Sequence, residues 1–299
     1  MDKREHGIAL ISVLWVVALL SVVAAGVSAS TRNDLRLAGN LVASAQARSA
    51  AEGGVQWALY ELLAGTGASR WQADGSVHEL SVGEPIVRVT MIDEAGKLDL
   101  NAAPESLLDG LLRSAGLADD VRRGIVDAIL DWRDADSVLR PDGAEDPEYR
   151  AAGKSYGAKD APFDSVEELS LVLGMSPQLL RAIKPALTVH SRQAGVNPNA
   201  ASRQVLLAIP SATAEEVDRY LELRERNRQA GLAPPAPPLT FQPFVARAKS
   251  AAFSIHAQAR LRNGVTAHVT ATVELRRAGQ DTPFAIRDWR HEGPELFSP

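Results

Sequence analysis

Near its start the sequence reads Ile8-Ala-Leu-Ile-Ser-Val-Leu-Trp-Val-Val-Ala-Leu-Leu-Ser-Val-Val-Ala-Ala-Gly-Val-Ser-Ala29, and no charge interrupts it before Arg32. A helix needs about 20 apolar residues to cross a bilayer core. Residues 8–30 are therefore predicted to form a transmembrane helix behind a polar leader, Met1–Gly7. The apolar core is too long for a cleaved secretory signal, in which it spans about 7–15 residues. A plain N-terminal anchor also fits the length.

The apolar stretch runs on without a proline into an amphipathic segment. Its apolar residues recur at the spacing of one helix face. They are Leu35, Leu37, Leu41, Val42, Val55, Leu59 and Leu62. The pattern predicts one helix from Ile8 to about Leu63, on the order of 80 Å long at 1.5 Å per residue. Its first half is lipid-soluble and its second half is suited to packing on a protein core.

Composition narrows the class of protein further. The chain has 299 residues and is 45% hydrophobic, enough for a sizeable core. It has no cysteine, which excludes disulfides, thiolate metal sites and a cysteine nucleophile. The net charge of −5 argues against nucleic acid as a partner. With one crossing and a short leader that carries Lys3 and Arg4, the bulk of the chain is placed outside the cytoplasm.

Alternating apolar and polar residues predict a sheet at both ends of the remaining chain. A first hairpin is predicted over residues 77–82 and 86–92, followed by a turn at Gly96 and a short strand. Residues 252–259 and 266–275 form a second hairpin, because Asn263-Gly264 between them is a strong hairpin signal. Residues 283–290 give a last strand. We predict an α+β fold in which one antiparallel sheet packs on the amphipathic half of the long helix.

Between the two hairpins the hydrophobic period becomes helical. Helices are predicted over residues 103–113, 119–132, 164–173 and 176–183, with a short strand at 187–190 and an irregular polar segment at 133–161. A second helical pair starts in the segment 196–210, after an asparagine and a short spacer, and continues over 214–224. Asp164 or Ser165 is the expected N-cap of the third helix, with Glu167 or Glu168 completing a capping box. The segment from Val196 echoes the one from Asn101, which suggests an internal repeat. A proline-rich linker, Leu232–Pro238, ends this inserted helical block.

The densest chemical signal is the acidic segment Asp131–Tyr149. Many carboxylates on a loop suit a hard cation such as Ca²⁺, which takes six to eight oxygen ligands. The spacing does not match an EF-hand, and zinc is disfavoured because no His or Cys lies nearby. A solvated acidic loop is the alternative explanation, and the residues alone leave both open. Acid–base catalysis by these carboxylates is a weaker hypothesis.

No other constellation predicts catalysis. The six histidines, at positions 6, 78, 190, 256, 268 and 291, show neither triad nor metal-ligand spacing. The sequence has no phosphate-binding glycine loop, GxSxG elbow or HExxH motif. The two helical pairs are similar to helix-hairpin-helix units, but Ser211 stands where the nucleic-acid-binding versions have glycine. Acids outnumber bases from Asn101 to His190, which favours a structural role over binding to phosphates.

Several segments, taken in order, resemble the minor pseudopilin K family of type II secretion (general secretion pathway protein K). These are the prepilin-like start with Ser12 at the position where related pilins have Glu, Asp93–Ala103, Asp131–Asp136, Gly143–Asp146, Ala161–Leu169 and Val196–Asn199. The resemblance implies a non-enzymatic subunit at the pseudopilus tip, with pseudopilins I and J as partners. It also implies processing by prepilin peptidase between Gly7 and Ile8, with methylation as an expected further step, and an inner-membrane protein with a periplasmic body.

The resemblance further implies calcium in the inserted domain, with Asp134, Asp136, Asp142, Glu145 and Asp146 as ligands. The domain limits that go with it are a leader at 1–7, a transmembrane half-helix at 8–30, and the pilin-like helix and first strands at 31–100. The inserted helical domain with its linker follows at 101–238, and the closing strands at 239–299. The rival hypotheses are a minor pilin of another type IV pilus-like system and a periplasmic enzyme on an anchor.

Overall fold

The computed structural model describes residues 5–64, 71–81, 83–246, 248, 251–276 and 282–292, with side chains for all of these except 5–9, 29 and 292. Helix α1 (Glu5–Ala64) is continuous, as the uninterrupted helical pattern predicts. It includes Gly7 and Ile8, whereas residues 1–4 of the predicted leader lie outside the described residues. One helix in the described chain is long and apolar enough to cross a membrane, and it is this one. Its most apolar window has a mean hydropathy of 2.6, and none of that window is buried by the described part of the chain.

The predicted single sheet is confirmed. Five strands run antiparallel in the order β1-β2-β5-β6-β7. They are β1 (Asp74–Ser81), β2 (Ile86–Asp93), β5 (Ala252–Arg260), β6 (Thr266–Leu275) and β7 (Phe284–Glu292). Because β2 pairs directly with β5, everything between them is an insertion into the sheet. The turn between β5 and β6 has Gly264 at φ +87°, in the left-handed region that the Asn-Gly signal predicts.

The sheet packs on the second half of α1, as the amphipathic pattern predicts. Small and apolar α1 residues, among them Ala51, Val55 and Leu59, are buried against the inward-facing residues of the central strands. Those strand residues are Val87, Val89, Met91, Ile255, Ala257, Ala259, Val269, Ala271 and Val273. Gly54 lets the helix approach closely, since a Cβ there would lie 2.7 Å from Val87 Cγ1. A second hydrophobic core, formed by the inserted helices, lies apart from this one.

The inserted region contains α2 (Glu105–Ser114), α3 (Asp119–Arg133), α4 (Asp146–Ala151), α5 (Pro177–Ile183), α6 (Arg203–Leu207) and α7 (Ala214–Gln229). Strands β3 (Leu98–Asp99) and β4 (Leu187–Thr188) form a small parallel pair. Ser176 and Thr213 cap α5 and α7 through their side-chain oxygens, which is the usual role of hydroxyl side chains at this position. The domain limits given above remain predictions.

Two predictions in this region were wrong. Residues 164–173 do not form an α-helix, because only Val166–Leu171 is helical and it is a 3₁₀ segment. Of the expected capping box only one bond is present: Glu168 Oε1 accepts from the backbone N–H of Asp164 at 3.1 Å, whereas Ser165 makes no side-chain cap bond. Glu168 also contacts Lys159 at 2.9 Å, and Glu167 contacts Lys184 at 2.8 Å. The segment 133–161 is not wholly irregular, since α4 lies within it.

The internal repeat is visible in matching contacts. Arg133 donates to the carbonyls of Leu100 and Ala103, and Arg224 donates to the carbonyls of Pro198 and Ala201. These carbonyls precede α2 and α6 at equivalent positions of the segments Leu-Asn-Ala-Ala and Pro-Asn-Ala-Ala. The helical pairs α2–α3 and α6–α7 are therefore two copies of one structural unit.

The hairpins of the two copies share one backbone requirement. Each has a residue with positive φ two positions before the N-cap of its second helix: Gly116 at +84° and Ser211 at +67°. A side chain in this conformation costs about 1–2 kcal/mol. We expect Ser211→Gly to stabilise the chain by about 0.5–1 kcal/mol and Gly116→Ala to destabilise it by a similar amount, measured by thermal unfolding. A loss of stability in Ser211→Gly would show that the serine side chain has a compensating contact.

Candidate cation site and N-terminal helix

The acidic segment folds around one buried carboxylate, Asp131 in the last turn of α3. Its side chain is fully buried. Oδ2 accepts hydrogen bonds from the backbone N–H of Ala144 at 2.9 Å and of Arg140 at 3.4 Å. Gly143 permits this closure, because a Cβ there would collide with Asp131 Oδ2. The loop from Asp134 to Glu145 is thus wrapped onto Asp131, which draws its acids inward.

Three acids of the segment keep a buried oxygen that forms no hydrogen bond within the described residues. These oxygens are Asp131 Oδ1, Asp134 Oδ1 and Glu145 Oε1. Arg140 Nε lies 3.5 Å from Asp131 Oδ1 but forms no hydrogen bond with it. An unsatisfied buried carboxylate oxygen is costly. Three such oxygens in one segment leave this site short of hydrogen-bond donors and of positive charge.

The pKa values of these carboxyl groups reflect their burial and the like charges around them. Burial, and then the like charges of Asp160, Asp131, Asp134 and Asp136, raise the pKa of Glu145 to about 7. Burial, and then Asp136 and Asp160, raise the pKa of Asp134. Burial is also the largest cause of the raised pKa of Asp131. A bound cation would relieve this repulsion and favour the ionised carboxylates.

Two of the five predicted ligands stand apart from this group. Asp142 Oδ2 lies 3.4 Å from Arg123 Nε, and Asp146 Oδ2 lies 2.5 Å from Arg150 Nη2. Both are surface ion pairs with half-exposed carboxylates. The structure therefore brings Asp134, Asp136 and Glu145 near one another and turns Asp142 and Asp146 toward arginines.

Sequence reasoning missed two members of the group, Asp131 and Asp160. Asp131 falls within the predicted helix over residues 119–132, so it was not counted among the loop ligands. Asp160 lies outside the acidic segment, and its φ of +52° is unusual for a non-glycine residue. The missed helix α4 had a signal: Glu145 and Glu148 form a capping box three residues apart, with Pro147 between them. That box fixes Glu145 at the start of α4.

The donor set fits a hard cation. It consists of carboxylate oxygens alone, which Ca²⁺ prefers. Among the described residues no three His, Cys, Asp or Glu side chains already stand in a metal-binding arrangement, so the loop acids must converge further to coordinate an ion. The ligand assignments remain predictions. An aromatic cluster with ring centroids 5.8–6.4 Å apart is formed by Trp132, Tyr149, Tyr156 and Phe163, and two of these residues, Trp132 and Tyr149, belong to the acidic segment.

The histidines with described side-chain contacts serve packing and strand pairing. His78 stacks on Trp71 with ring centroids 4.1 Å apart. His256 Nδ1 lies 3.1 Å from Thr270 Oγ1 on the neighbouring strand. His291 Nε2 lies 3.7 Å from Glu52 of α1. None of these contacts joins a histidine to the acidic group.

A long N-terminal helix whose second half packs on an antiparallel sheet defines a pilin-like protein, here with a helical domain inserted between two strands. The chain resembles a chain in the crystal structure of the GspK–GspI–GspJ complex from the type 2 secretion system of enterotoxigenic Escherichia coli. The TM-score is 0.58 at 16% identity, over 88% of this chain and 99% of that one. This likeness supports the fold.

Sequence comparisons point to one family. Residues 89–192 match the profile of type II secretion system protein K. The protein of that name from Pseudomonas aeruginosa is 28% identical over 76% of this chain and 74% of its own. The one from Pectobacterium carotovorum is 25% identical over 87% and 90%. The chain thus carries a region matching the type II secretion system protein K profile, and it is similar to proteins of that name over most of its length.

Proposed function

We propose that this chain is a non-enzymatic subunit at the tip of the type II secretion pseudopilus, where it helps to initiate assembly and the export of folded proteins across the outer membrane. The observation that carries the proposal is the helical domain inserted between β2 and β5. A pilin-like body alone can pack in a filament through α1. A second domain with its own core, mounted on the end of the sheet, adds bulk that hinders a further subunit above it.

Ser12 supports the same position. In related pilins the acid at this place neutralises the N-terminal amine of a neighbour inside the apolar bundle. A charge buried there without a partner is expensive. A subunit with no neighbour above it has no such amine to neutralise, and Ser12 carries no charge.

The partners and location follow from the same proposal. Pseudopilins I and J are the proposed neighbours, since the structurally similar protein is part of a complex with them. The apolar half of α1 holds the chain in the inner membrane, with the body in the periplasm. Prepilin peptidase removes the leader after Gly7, and the new N-terminus at Ile8 is then available for methylation.

A variant of the leader tests the rival hypothesis of a membrane-anchored enzyme. We expect Gly7→Val to leave the N-terminus unprocessed and to abolish secretion, because the peptidase requires the small residue before its cleavage site. Mass spectrometry of the purified chain reads the processing directly. Normal secretion by an unprocessed chain would favour the membrane-anchored enzyme.

Copurification tests the second rival, a minor pilin of another type IV pilus-like system. The tagged chain is extracted from its own membranes in mild detergent, and the captured minor subunits are identified by mass spectrometry. Pseudopilins I and J are the expected result. Capture of pilus-type minor subunits in their place would move the chain to a different filament.

We further propose that the acidic group binds a structural Ca²⁺ ion. The ligands predicted from the sequence are Asp134, Asp136, Asp142, Glu145 and Asp146. The buried oxygen of Asp131 favours that residue over Asp142 and Asp146, and so does the charge of Asp160, which acts on Glu145 and Asp134. The ion would neutralise carboxylates that otherwise repel one another at the junction of α3 and α4. Its role is to fix the loop that connects these helices.

A further inference from the structure

The inserted domain meets the pilin-like body, that is the second half of α1 and the five-stranded sheet, at a narrow junction. Strand β2 ends at Asp93 and β5 begins at Ala252, and Asp93 is paired with Phe253. Both covalent connections therefore leave the sheet side by side, at one end. In the described part of the chain no apolar side chain belongs to both hydrophobic cores. Apolar burial, which dominates the stability of each core, thus does little to fix one body on the other.

A cleft beside the junction leaves the inserted domain room to tilt. Its volume is about 980 Å³. Leu62 and Trp71 of the pilin-like body line it on one side, and Arg224 and Leu232 of the inserted domain line it on the other, while Asp93 also contributes to its surface. Since the two bodies are not packed together across this space, polar contacts at the junction must hold their relative orientation.

Three of these polar contacts are exposed at the protein surface and are made by long side chains. They are Arg228 Nη1 to Ser76 Oγ at 3.2 Å, Arg290 Nη1 to Glu167 Oε1 at 3.2 Å, and Arg192 Nη1 to Glu274 Oε1 at 3.6 Å. The arginine side chains are 44–73% exposed. Such contacts contribute little, because water competes for the same groups and ordering the side chains costs entropy.

One carboxylate at the junction is buried. Glu94 follows β2 directly and is 2% exposed. Its Oε1 accepts a hydrogen bond from Ser254 Oγ on β5 at 2.6 Å and another from Lys97 Nζ at 2.6 Å. Lys97 stands immediately before β3 of the inserted region, so the carboxylate joins that region to the sheet. Breaking a buried ion pair is far more damaging than breaking an exposed one, because the remaining charge stays uncompensated.

The surroundings of Glu94 favour its ionised form. Burial alone would raise its pKa, but the charge of Lys97 and hydrogen bonds from Lys97, Ser254 and Thr188 together lower the pKa below its ordinary value. Thr188 lies on β4, so a second element of the inserted region is tied to the same carboxylate. The neighbouring Asp93 adds a further contact, with Oδ2 accepting from Asn197 Nδ2 at 2.8 Å. Removing the charge of Glu94 should therefore loosen several elements at once.

We propose that Glu94 is a positioning residue, which fixes the orientation of the inserted domain on the pilin-like body. It acts where both connections leave the sheet, so a small displacement there swings the far end of the domain through a large distance. The fixed orientation does not depend on the proposed function. Its value for secretion does rest on it, because a domain that hinders a further subunit must be held at a constant angle.

Pulsed electron paramagnetic resonance tests the orientation directly, because the chain has no cysteine of its own. Nitroxide labels on Val77→Cys of the sheet and Val121→Cys of the inserted domain, at positions 64% and 51% exposed, report the distance between the two bodies in the full chain in detergent. Glu94→Gln should make the distance distribution roughly twofold broader, since one partner of a buried pair is lost. Ser254→Ala should broaden it less. Glu168→Gln, the control, should leave it unchanged.

The control removes an ion pair of similar geometry, Glu168 with Lys159 at 2.9 Å, that lies wholly within the inserted domain. Circular dichroism verifies that each variant is folded at the temperature of the measurement, where a simple loss of stability would not alter the width. An unchanged width in Glu94→Gln would overturn the inference. Ser254→Ala decides in its place if that variant does not fold, because it keeps the pair with Lys97 and removes only the bond to the sheet.

Secretion by the same variants separates this inference from the proposed function. We expect Glu94→Gln to broaden the distribution and to lower secretion, whereas Glu168→Gln should do neither. A broadened distribution with normal secretion would support the positioning role of Glu94 and count against a tip role that needs a fixed inserted domain. A narrow distribution in Glu94→Gln would overturn the positioning role and leave the proposed function standing.

Discussion

Gly110→Ala should unfold the inserted domain at a much lower temperature than the unaltered chain. A Cβ at Gly110 would collide with the carbonyl oxygen and backbone of Ala208, where α2 crosses α6. Neither side can yield cheaply, because the obstacle is backbone and both helices are anchored by buried leucines. Overpacking of this kind typically costs 1–3 kcal/mol and occasionally more. We expect about 3 kcal/mol, since the clash is with main chain and not with a flexible side chain.

The same domain supplies the control. Gly124 lies inside α3, where a Cβ would meet only the Asp142 carbonyl at an ordinary 3.5 Å. Gly124→Ala should therefore be neutral or stabilise the chain by up to about 1 kcal/mol through helix propensity. Thermal unfolding of the full chain in detergent, followed by tryptophan fluorescence, compares the two, and Trp132 in the second core reports on the inserted domain. Equal melting temperatures for both variants would mean that the α2–α6 crossing is looser than described.

The crossing of α2 and α6 shows which features of the fold could be predicted from the sequence and which could not. Gly110 and Ala208 occupy equivalent places in the two copies of the repeat, and the copies meet there. The repeat of the segment from Asn101 in the segment around Asn199 could be predicted from sequence, because polar and capping residues recur in the same order. The contact between Gly110 and Ala208 could not be predicted. In the sequence, a helical glycine that admits a neighbouring backbone, such as Gly110, cannot be told from one that faces open space, such as Gly53.

The sheet and the long helix were predictable for a physical reason. Period-two alternation and a continuous apolar run each point to one structure, and the pairing of β2 with β5 follows once both hairpins must cover one helix face. Residues 164–173 were not predictable in detail. The acids that suggested a helix cap form ion pairs with Lys159 and Lys184, which are distant enough in sequence to give no local signal.

The acidic segment, too, was predictable only in part. Its composition pointed to a cation, but composition cannot say which carboxylates face inward. Asp142 and Asp146 belong to the segment, yet Arg123 and Arg150 hold them at the surface. Asp160 lies outside the segment and reaches the group only through the fold. Burial, which decides the electrostatics, is a tertiary property.

Calcium should stabilise the chain, and the two ligand assignments predict different variants to lose the effect. For a site with a dissociation constant near 0.1 mM, 5 mM CaCl₂ should add about 2 kcal/mol over chelator-treated protein, seen as a rise in melting temperature that MgCl₂ does not match. Asp131→Asn and Glu145→Gln should abolish the rise. Asp142→Asn and Asp146→Asn, the matched acids paired with arginines, should keep it. Loss of the rise in Asp142→Asn and Asp146→Asn, with the rise kept in Asp131→Asn, would restore the assignment made from sequence.

The response should also depend on pH in a defined direction. Without a cation, the pKa of Glu145 is raised from its ordinary 4.5 to about 7. Between these values the folded state binds more protons than the unfolded state, so stability falls as pH rises through this window. The loss is on the order of 2–3 kcal/mol and is complete above about pH 7. Calcium requires the ionised carboxylate, so its stabilising effect should be larger at pH 8 than at pH 5.5. Glu145→Gln should flatten the calcium-free profile between pH 5 and pH 8, and an unchanged slope in that variant would place the raised pKa elsewhere.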